Sequence, residues 1–396
     1  MPKALAARLD YQAFWYKPIA SPPASYVKWD ALITAFAQHL IDRYGIDEVA
    51  NWYFEVWNEP NLDFWLGTPK QASYFELYDN TARALKAVNP RIRVGGPATA
   101  QAAWVGDMIA HADQNHVPLD FVSTHVYGDD STKDVFHDDR PLSPHQMVSA
   151  AVDKVHDEIL QSARPDIPLI WSEYNASFAN YQNVTDSIYM GPWLANTISR
   201  CDGKTRMMSY WTFSDVFDEQ GVVKTPFYGG FGIVAEDSIP KPAYDAFMLL
   251  HELGDERLPA PVDAALVTRR ADGTLVIAAW NWVEPEVQGS DETMTFDFRG
   301  VADGVYAEVR RVDAQHGDSL DAWKKMGSPS YPTPSHIGEL RQAAEIGLPE
   351  AMVIQNRLTL TLPPMGLRLW RFTRRDGRSR DLGCSGFRAP SSLRHQ

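Results

Sequence analysis

Apolar residues recur along the first two-thirds of the chain in two alternating rhythms. Short aromatic or β-branched runs at 52–57, 92–95, 121–124, 169–171 and 207–212 have the length and composition of buried strands. Between them, apolar positions fall three and four residues apart. Over 26–44, Trp29, Leu32, Ile33, Phe36 and Leu40 make one stripe, which Gly45 ends. Over 69–88, Tyr74, Leu77, Tyr78 and Leu85 repeat the pattern, and 143–163 and 242–253 read as later helices. Strand–helix alternation of this kind predicts a parallel α/β sheet. Residues 1–5 read as one more strand, which makes six where a closed (β/α)8 barrel needs eight. The expectation is an N-terminally truncated TIM barrel, its first two βα units absent, with unpaired strand edges.

The texture changes near residue 258. Short alternating runs follow at 265–269, 275–282, 294–298, 306–312, 357–362 and 366–372, separated by turn signals such as Asp272 before Gly273. They predict an antiparallel β-sandwich, with 313–349 as a helix-containing insertion. The Arg-, Ser- and Gly-rich stretch after 373 reads as disordered. The domain reading is thus a partial catalytic barrel over 1–257, a β-sandwich accessory domain over 258–373 and a tail over 374–396.

Candidate chemistry gathers where two of the barrel strands stop. The run from Trp52 to Trp57 ends in Asn58, Glu59 and Pro60, and Pro60 cannot continue a ladder, so Glu59 stands at the strand's end. That rim is where parallel barrels build active sites. A second apolar strand ends in the same way, in Trp171, Ser172 and Glu173. Two strand signals lie between, which puts Glu59 and Glu173 three βα units apart and facing across a barrel mouth. Carboxylates about 5 Å apart in such a place suit a retaining glycosidase, one as nucleophile and one as acid/base. The competing reading of each is a strand-end Glu in a salt bridge. Glu55, on the same strand face as Glu59, is the rival carboxylate and reads as a member of an internal ion pair.

These motifs bring a resemblance into view. With the runs from Phe54 to Leu62, Val94 to Pro97, Ser123 to Tyr127, Trp171 to Asn175 and Tyr210 to Glu219, the chain resembles the β-xylosidases of glycoside hydrolase family 39, from Met1 to about Phe372. The resemblance implies that Glu59 is the acid/base and Glu173 the nucleophile, at the ends of barrel strands four and seven. It implies that residues 1–5 match barrel strand three, and that His125 and Tyr127 approach the nucleophile and hold it ionised and oriented. On this reading Asn58 donates to the sugar 2-hydroxyl and Trp211 forms an apolar wall. Asp218 and Glu219 accept from sugar hydroxyls, and Phe64 lines the entry with Phe14 and Trp15.

Composition narrows the picture. The 396 residues carry a net charge of −14, which disfavours nucleic acid and anionic membrane as partners. Thirteen Trp suit a surface on which sugar rings stack, although Trp also fills cores. The two cysteines, Cys201 and Cys384, build neither a disulfide framework nor a metal cluster. Cys201 reads as a core residue ending a helix. The histidines lack a metal-ligand spacing, so no metal or cofactor is expected. Gly95 and Gly96 make a strand-end turn, not a phosphate loop, and Gly229 to Gly232 reads as a flexible loop. The expected activity is an exo-acting retaining β-1,4-xylosidase on xylo-oligosaccharides. Its rivals are an α-L-iduronidase, which needs basic partners for a uronate, and an inactive carbohydrate-binding fragment. Oligomeric state (homo-oligomer included) and compartment, cytoplasmic or periplasmic, stay open.

Overall fold

The computed structural model describes residues 1–217, 219, 221–223, 225–260, 262–298 and 305–373; the expected tail lies outside the described residues. Two compact units result. The first comprises Met1–Phe178, Cys201–Trp211 and Phe217–Val222, the second Ala179–Arg200, Thr212–Val216 and Val223–Gln396.

The first unit contains, in chain order, α1 (Tyr26–Tyr44), β1 (Tyr53–Glu55), α2 (Lys70–Val88), β2 (Arg93–Thr99), α3 (Val105–Gln114), β3 (Phe121–Tyr127), α4 (Pro144–Leu160), β4 (Leu169–Asn175) and β5 (Met207–Tyr210). The strands pair in sequence order and all ladders are parallel, so this is a TIM-like α/β sheet of half-barrel extent. Every residue of β3 is buried, whereas the outer strands β1 and β5 are partly exposed, Met207 to 41%. Each of these two has a ladder on one flank only among the described residues. The ladders between β2 and β3, β3 and β4, and β4 and β5 all shift register near their C-terminal ends, between Pro97 and Thr99, Thr124 and His125, and Trp171 and Tyr174. Such irregularities re-aim the side chains beyond them.

Residues 1–5 are not the sixth strand that was expected. Pro2 lacks the N–H a ladder needs, and its carbonyl instead accepts the Leu5 N–H at 2.9 Å, closing a turn. The described sheet therefore has five strands. Helix α1 ends as expected at Gly45, whose φ of 81° suits glycine. Trp29 is buried from α1 and donates to Thr81 of α2 at 2.8 Å. The rest of its stripe is covered less: Leu32 is 39% and Phe36 48% exposed, because the strand on that side is the sheet's edge.

Helix α5 (Met190–Cys201), in the second unit as far as Arg200, ends at buried Cys201, and in the second unit α6 (Pro242–Leu250) starts on Pro242, whose missing N–H costs nothing at a helix start. There follow β6 (Glu256–Leu258), β7 (Ala265–Arg269), β8 (Leu275–Asn281), β9 (Glu292–Asp297), β10 (Val305–Val312), α7 (Ser319–Lys325), α8 (Pro334–Ala343), β11 (Glu350–Ile354), β12 (Arg357–Leu362) and β13 (Gly366–Thr373). Six of these strands form one antiparallel sheet in the order β11-β10-β13-β8-β7-β6, and β9 pairs with β12 in another. Both sheets contribute to one apolar cluster, with Ile277, Phe296, Leu360 and Trp370 among its members. The glycine-rich stretch at 229–232 is a loop, but a pinned one. Gly229 N–H donates to Asp186 and Gly232 N–H to Asp215, each at 2.6 Å. Fully buried Lys241 joins the two carboxylates at 2.7 and 3.0 Å. A Cβ on Gly230 would lie 2.3 Å from the Asp215 carboxylate, so glycine is required there.

Candidate active site

The chain leaves β1 through an unusual backbone. Trp57 and Glu59 both have positive φ, 71° and 45°, a conformation that non-glycine residues keep only when their surroundings hold it. Three contacts do so. Trp57 Nε1 donates to the Phe64 carbonyl at 2.9 Å, Glu59 N–H to the Ala98 carbonyl at 2.8 Å, and Asn61 bonds both polar groups of Ala100 at 3.0 and 2.9 Å. The loop after β1 is thereby tied to the loop after β2, and the Glu59 side chain is turned inward and buried.

Glu59 meets two neighbours there. His125, placed on β3 just past its register shift, has Nδ1 3.1 Å from Glu59 Oε1 and 3.5 Å from Glu173 Oε2. Glu173 stands on β4 directly opposite His125 in the ladder. One ligand atom from each of Glu59, His125 and Glu173 lies within 4.8 Å of the others. This is the one such group of potential metal ligands among the described residues, drawn from the loop after β1 and from β3 and β4. In the structure these atoms engage one another. Tyr127 completes the set by donating its hydroxyl to Glu173 Oε1.

The electrostatics follow from burial. Desolvation, reinforced by the charge of Glu59, pushes the Glu173 carboxyl up to about 7, against the opposing pull of His125 and Tyr127. Near neutral pH the site therefore retains a proton shared among coupled groups. Burial alone would lower His125, but its bond to Glu59 and the charge of Glu173 outweigh this and raise it. Burial and the Glu173 charge hold Tyr127 well above its usual range, so it stays a donor.

The other expected residues are distributed unevenly. Glu219 is half-buried, and burial with the Glu59 charge raises its carboxyl. Its carbonyl accepts the Trp15 N–H at 2.9 Å. Asp218 lies outside the described residues. Trp211 is fixed by its backbone, donating to the Tyr174 carbonyl at 3.0 Å and accepting from Asn175 Nδ2 at 2.5 Å, while its ring meets Phe217 edge-on. Asn58 is exposed and lines a cavity of about 300 Å³ with Phe14, Trp57 and Phe64. The rings of Phe14 and Phe64 are 4.7 Å apart. Trp15 is exposed and does not line this cavity. Glu55 is exposed and accepts from Ser172 Oγ at 2.5 Å, so it is not the internal ion-pair member that was expected. Sequence reasoning missed Asp130, a buried carboxylate behind Tyr127; two acids after a glycine look like an ordinary solvated turn.

A parallel α/β sheet with paired carboxylates where its strands end is an architecture of glycoside hydrolases. Comparison with known proteins gives the family. The family model for glycosyl hydrolases family 39 matches residues 1–357, and the chain belongs to that family of glycosidases. It is 38% identical over 366 residues to a β-xylosidase of Geobacillus stearothermophilus, covering 91% of this chain and 71% of that protein. The crystal structure of a monomeric β-xylosidase from Caulobacter crescentus CB15 is similar at a TM-score of 0.84 and 35% identity, over 93% of this chain and 79% of that one. Human α-L-iduronidase is 24% identical over 382 residues, covering 84% of this chain and 58% of its own.

Proposed function

We propose that this chain is a retaining exo-β-1,4-xylosidase that releases xylose from short xylo-oligosaccharides. The observation that carries the reading is the approach of the Glu59 and Glu173 carboxylates to within 4.8 Å around a shared histidine. Retaining enzymes keep their two carboxyl groups about 5–5.5 Å apart, too close to admit the water an inverting enzyme places between them. In the first step Glu173 attacks the anomeric carbon while Glu59 protonates the departing oxygen, so the C–O bond breaks and a glycosyl ester forms on Glu173. Glu59, now a carboxylate, then takes a proton from water, which attacks the same carbon and frees Glu173. The Tyr127 hydroxyl, donated to Glu173, favours its ionised form, the form in which it attacks. His125 bridges the two carboxylates and stabilises whichever is charged. Asn58 contacts the sugar 2-hydroxyl, Trp211 forms the wall, and Glu219 accepts from hydroxyls.

The same proposal takes the parallel sheet as part of a (β/α)8 barrel over 1–257 and the antiparallel sheets, which share one apolar cluster, as a β-sandwich over 258–373. A uronic acid donor fits less well. The further carboxylates whose charges reach His125 and Glu173 are Glu55 and Glu219, while Lys3 and Lys17 are exposed. The test is hydrolysis of an aryl β-xyloside with NMR of the first-formed sugar, comparing wild type with Glu173→Ala. The expected product is the β-anomer. The variant should lose activity by several orders of magnitude and recover part of it with azide, giving the α-glycosyl azide. Retention of a tenth of the wild-type rate by Glu173→Ala would overturn the assignment.

A further inference from the structure

Three consecutive residues beyond β3 have no place in the chemistry above, yet every one of them is tied to the site. Gly128 N–H donates to the Asn175 carbonyl at 3.0 Å, and its backbone runs so close to β4's exit that a Cβ would sit 2.4 Å from the Ala176 carbonyl oxygen. Only glycine permits that approach. Asp129 reaches across the same gap, accepting from Ser177 Oγ at 2.6 Å and from the Phe178 N–H at 2.8 Å. Asp130 turns back, and its Oδ2 accepts the Tyr127 N–H at 2.7 Å while its own N–H donates to the Tyr127 carbonyl at 3.2 Å. Phe178, held by Asp129, presents its ring edge-on to Tyr127 at 6.2 Å. The backbone of Tyr127 is thus bonded from one side and its ring is bounded by the other.

We propose that Gly128, Asp129 and Asp130 form a clamp that positions Glu173 through Tyr127. The clamp joins the exits of β3 and β4, the two strands that carry the Tyr127 hydroxyl and the Glu173 carboxylate it bonds. Fixing one exit against the other fixes that hydrogen bond, and with it the orientation of the nucleophile. Asp130 is costly to place: burial pushes its carboxyl up to about 7, although the Tyr127 N–H opposes this. Exposed surface acids would serve a mere turn. The inference rests on the reading of Glu173 as nucleophile, and Asp130 never touches substrate.

The test is a mutant cycle on the full chain, using 4-nitrophenyl β-D-xyloside and thermal melts as the folding control. Asp130→Ala should lower kcat by about 10- to 100-fold with KM changed less than about threefold, since small misplacements of a reacting group act on the chemical step. Asp130→Asn keeps an oxygen for the Tyr127 N–H and should restore most of the loss. In a Tyr127→Phe background, Asp130→Ala should cost less than about twofold more, because both changes act through one hydroxyl. An unchanged kcat in Asp130→Ala, or the full loss repeated in the Tyr127→Phe background, overturns the clamp. Should Asp130→Ala fail to fold, Ser177→Ala removes the donor to Asp129 instead. It should lower kcat, again only while Tyr127 is present; wild-type kcat in that variant also overturns the proposal. A failure of the nucleophile assignment is distinguishable, because Glu173→Ala would then stay active.

Discussion

Glu59 and Glu173 are near enough that the ionisation of one is felt by the other, and their roles separate only under substitution. Glu59→Gln cannot protonate a leaving group. It should spare the first step for substrates with a nitrophenyl leaving group while slowing natural xylobiose by about 100-fold or more, a difference read from kcat/KM across a leaving-group series. Uniform loss would make Glu59 structural. Stability gives an independent probe of Glu173. Its carboxyl is raised from 4.5 to about 7, so folding takes up a proton between those pH values. The associated stability is complete below about 4.5 and is lost as pH rises through about 7. Glu173→Gln carries no charge to desolvate, so its melting temperature relative to wild type should climb between pH 5 and pH 8, by at most about 3 kcal/mol in stability. A constant difference across that range would show that Glu173 ionises freely. The two acids were legible because Glu59 follows a strand that Pro60 cuts short and Glu173 lies near the polar C-terminal end of β4. His125 was legible as a neighbour of Glu173, but its shorter bond to Glu59 was not. That bond depends on the register shift after Thr124, which alternation along one strand does not reveal.

At the scale of elements, the ties between segments are carried by buried ionic contacts as well as apolar packing. Lys241, Asp186 and Asp215 have fully buried side chains and together hold the 229–232 loop. Lys241→Met would leave two carboxylates without their cation, and breaking such a group typically costs about 3–5 kcal/mol. Urea melts should show that loss. A simultaneous replacement of all three residues by apolar ones of similar volume should recover most of it. A small effect for Lys241→Met alone would mean that the two acids take up protons without penalty. Helix stripes and buried strands were readable from period alone. Edge elements were not: β6 opens on the exposed charges Glu256 and Arg257, and β11 is exposed over its first four residues, so neither alternates between apolar and polar positions. Residues 1–5 were misread because a short apolar run does not distinguish a strand from a turn when Pro2 supplies the accepting carbonyl.

At the scale of the whole molecule, charge sorts substrates before any contact forms. A chain of net charge −14 repels anionic donors over a Debye length and leaves neutral xylosides unaffected. Any residual kcat/KM on an aryl α-L-iduronide should therefore rise between 20 and 200 mM salt, about 2- to 10-fold, while the value on the aryl xyloside stays flat. An equal response of both would assign the discrimination to the pocket alone. The same charge bears on the two outer strands of the parallel sheet, β1 and β5, each laddered on a single flank among the described residues. An open flank is a template that recognises backbone and is indifferent to side chains, so an extended segment of a second copy satisfies it as well as any other. Mutual repulsion between copies opposes such pairing, and it fades as the solution approaches the isoelectric point near 5.2. Aggregation is then expected to set in as pH falls toward that value, before the folded state is lost, an order that light scattering read beside circular dichroism checks.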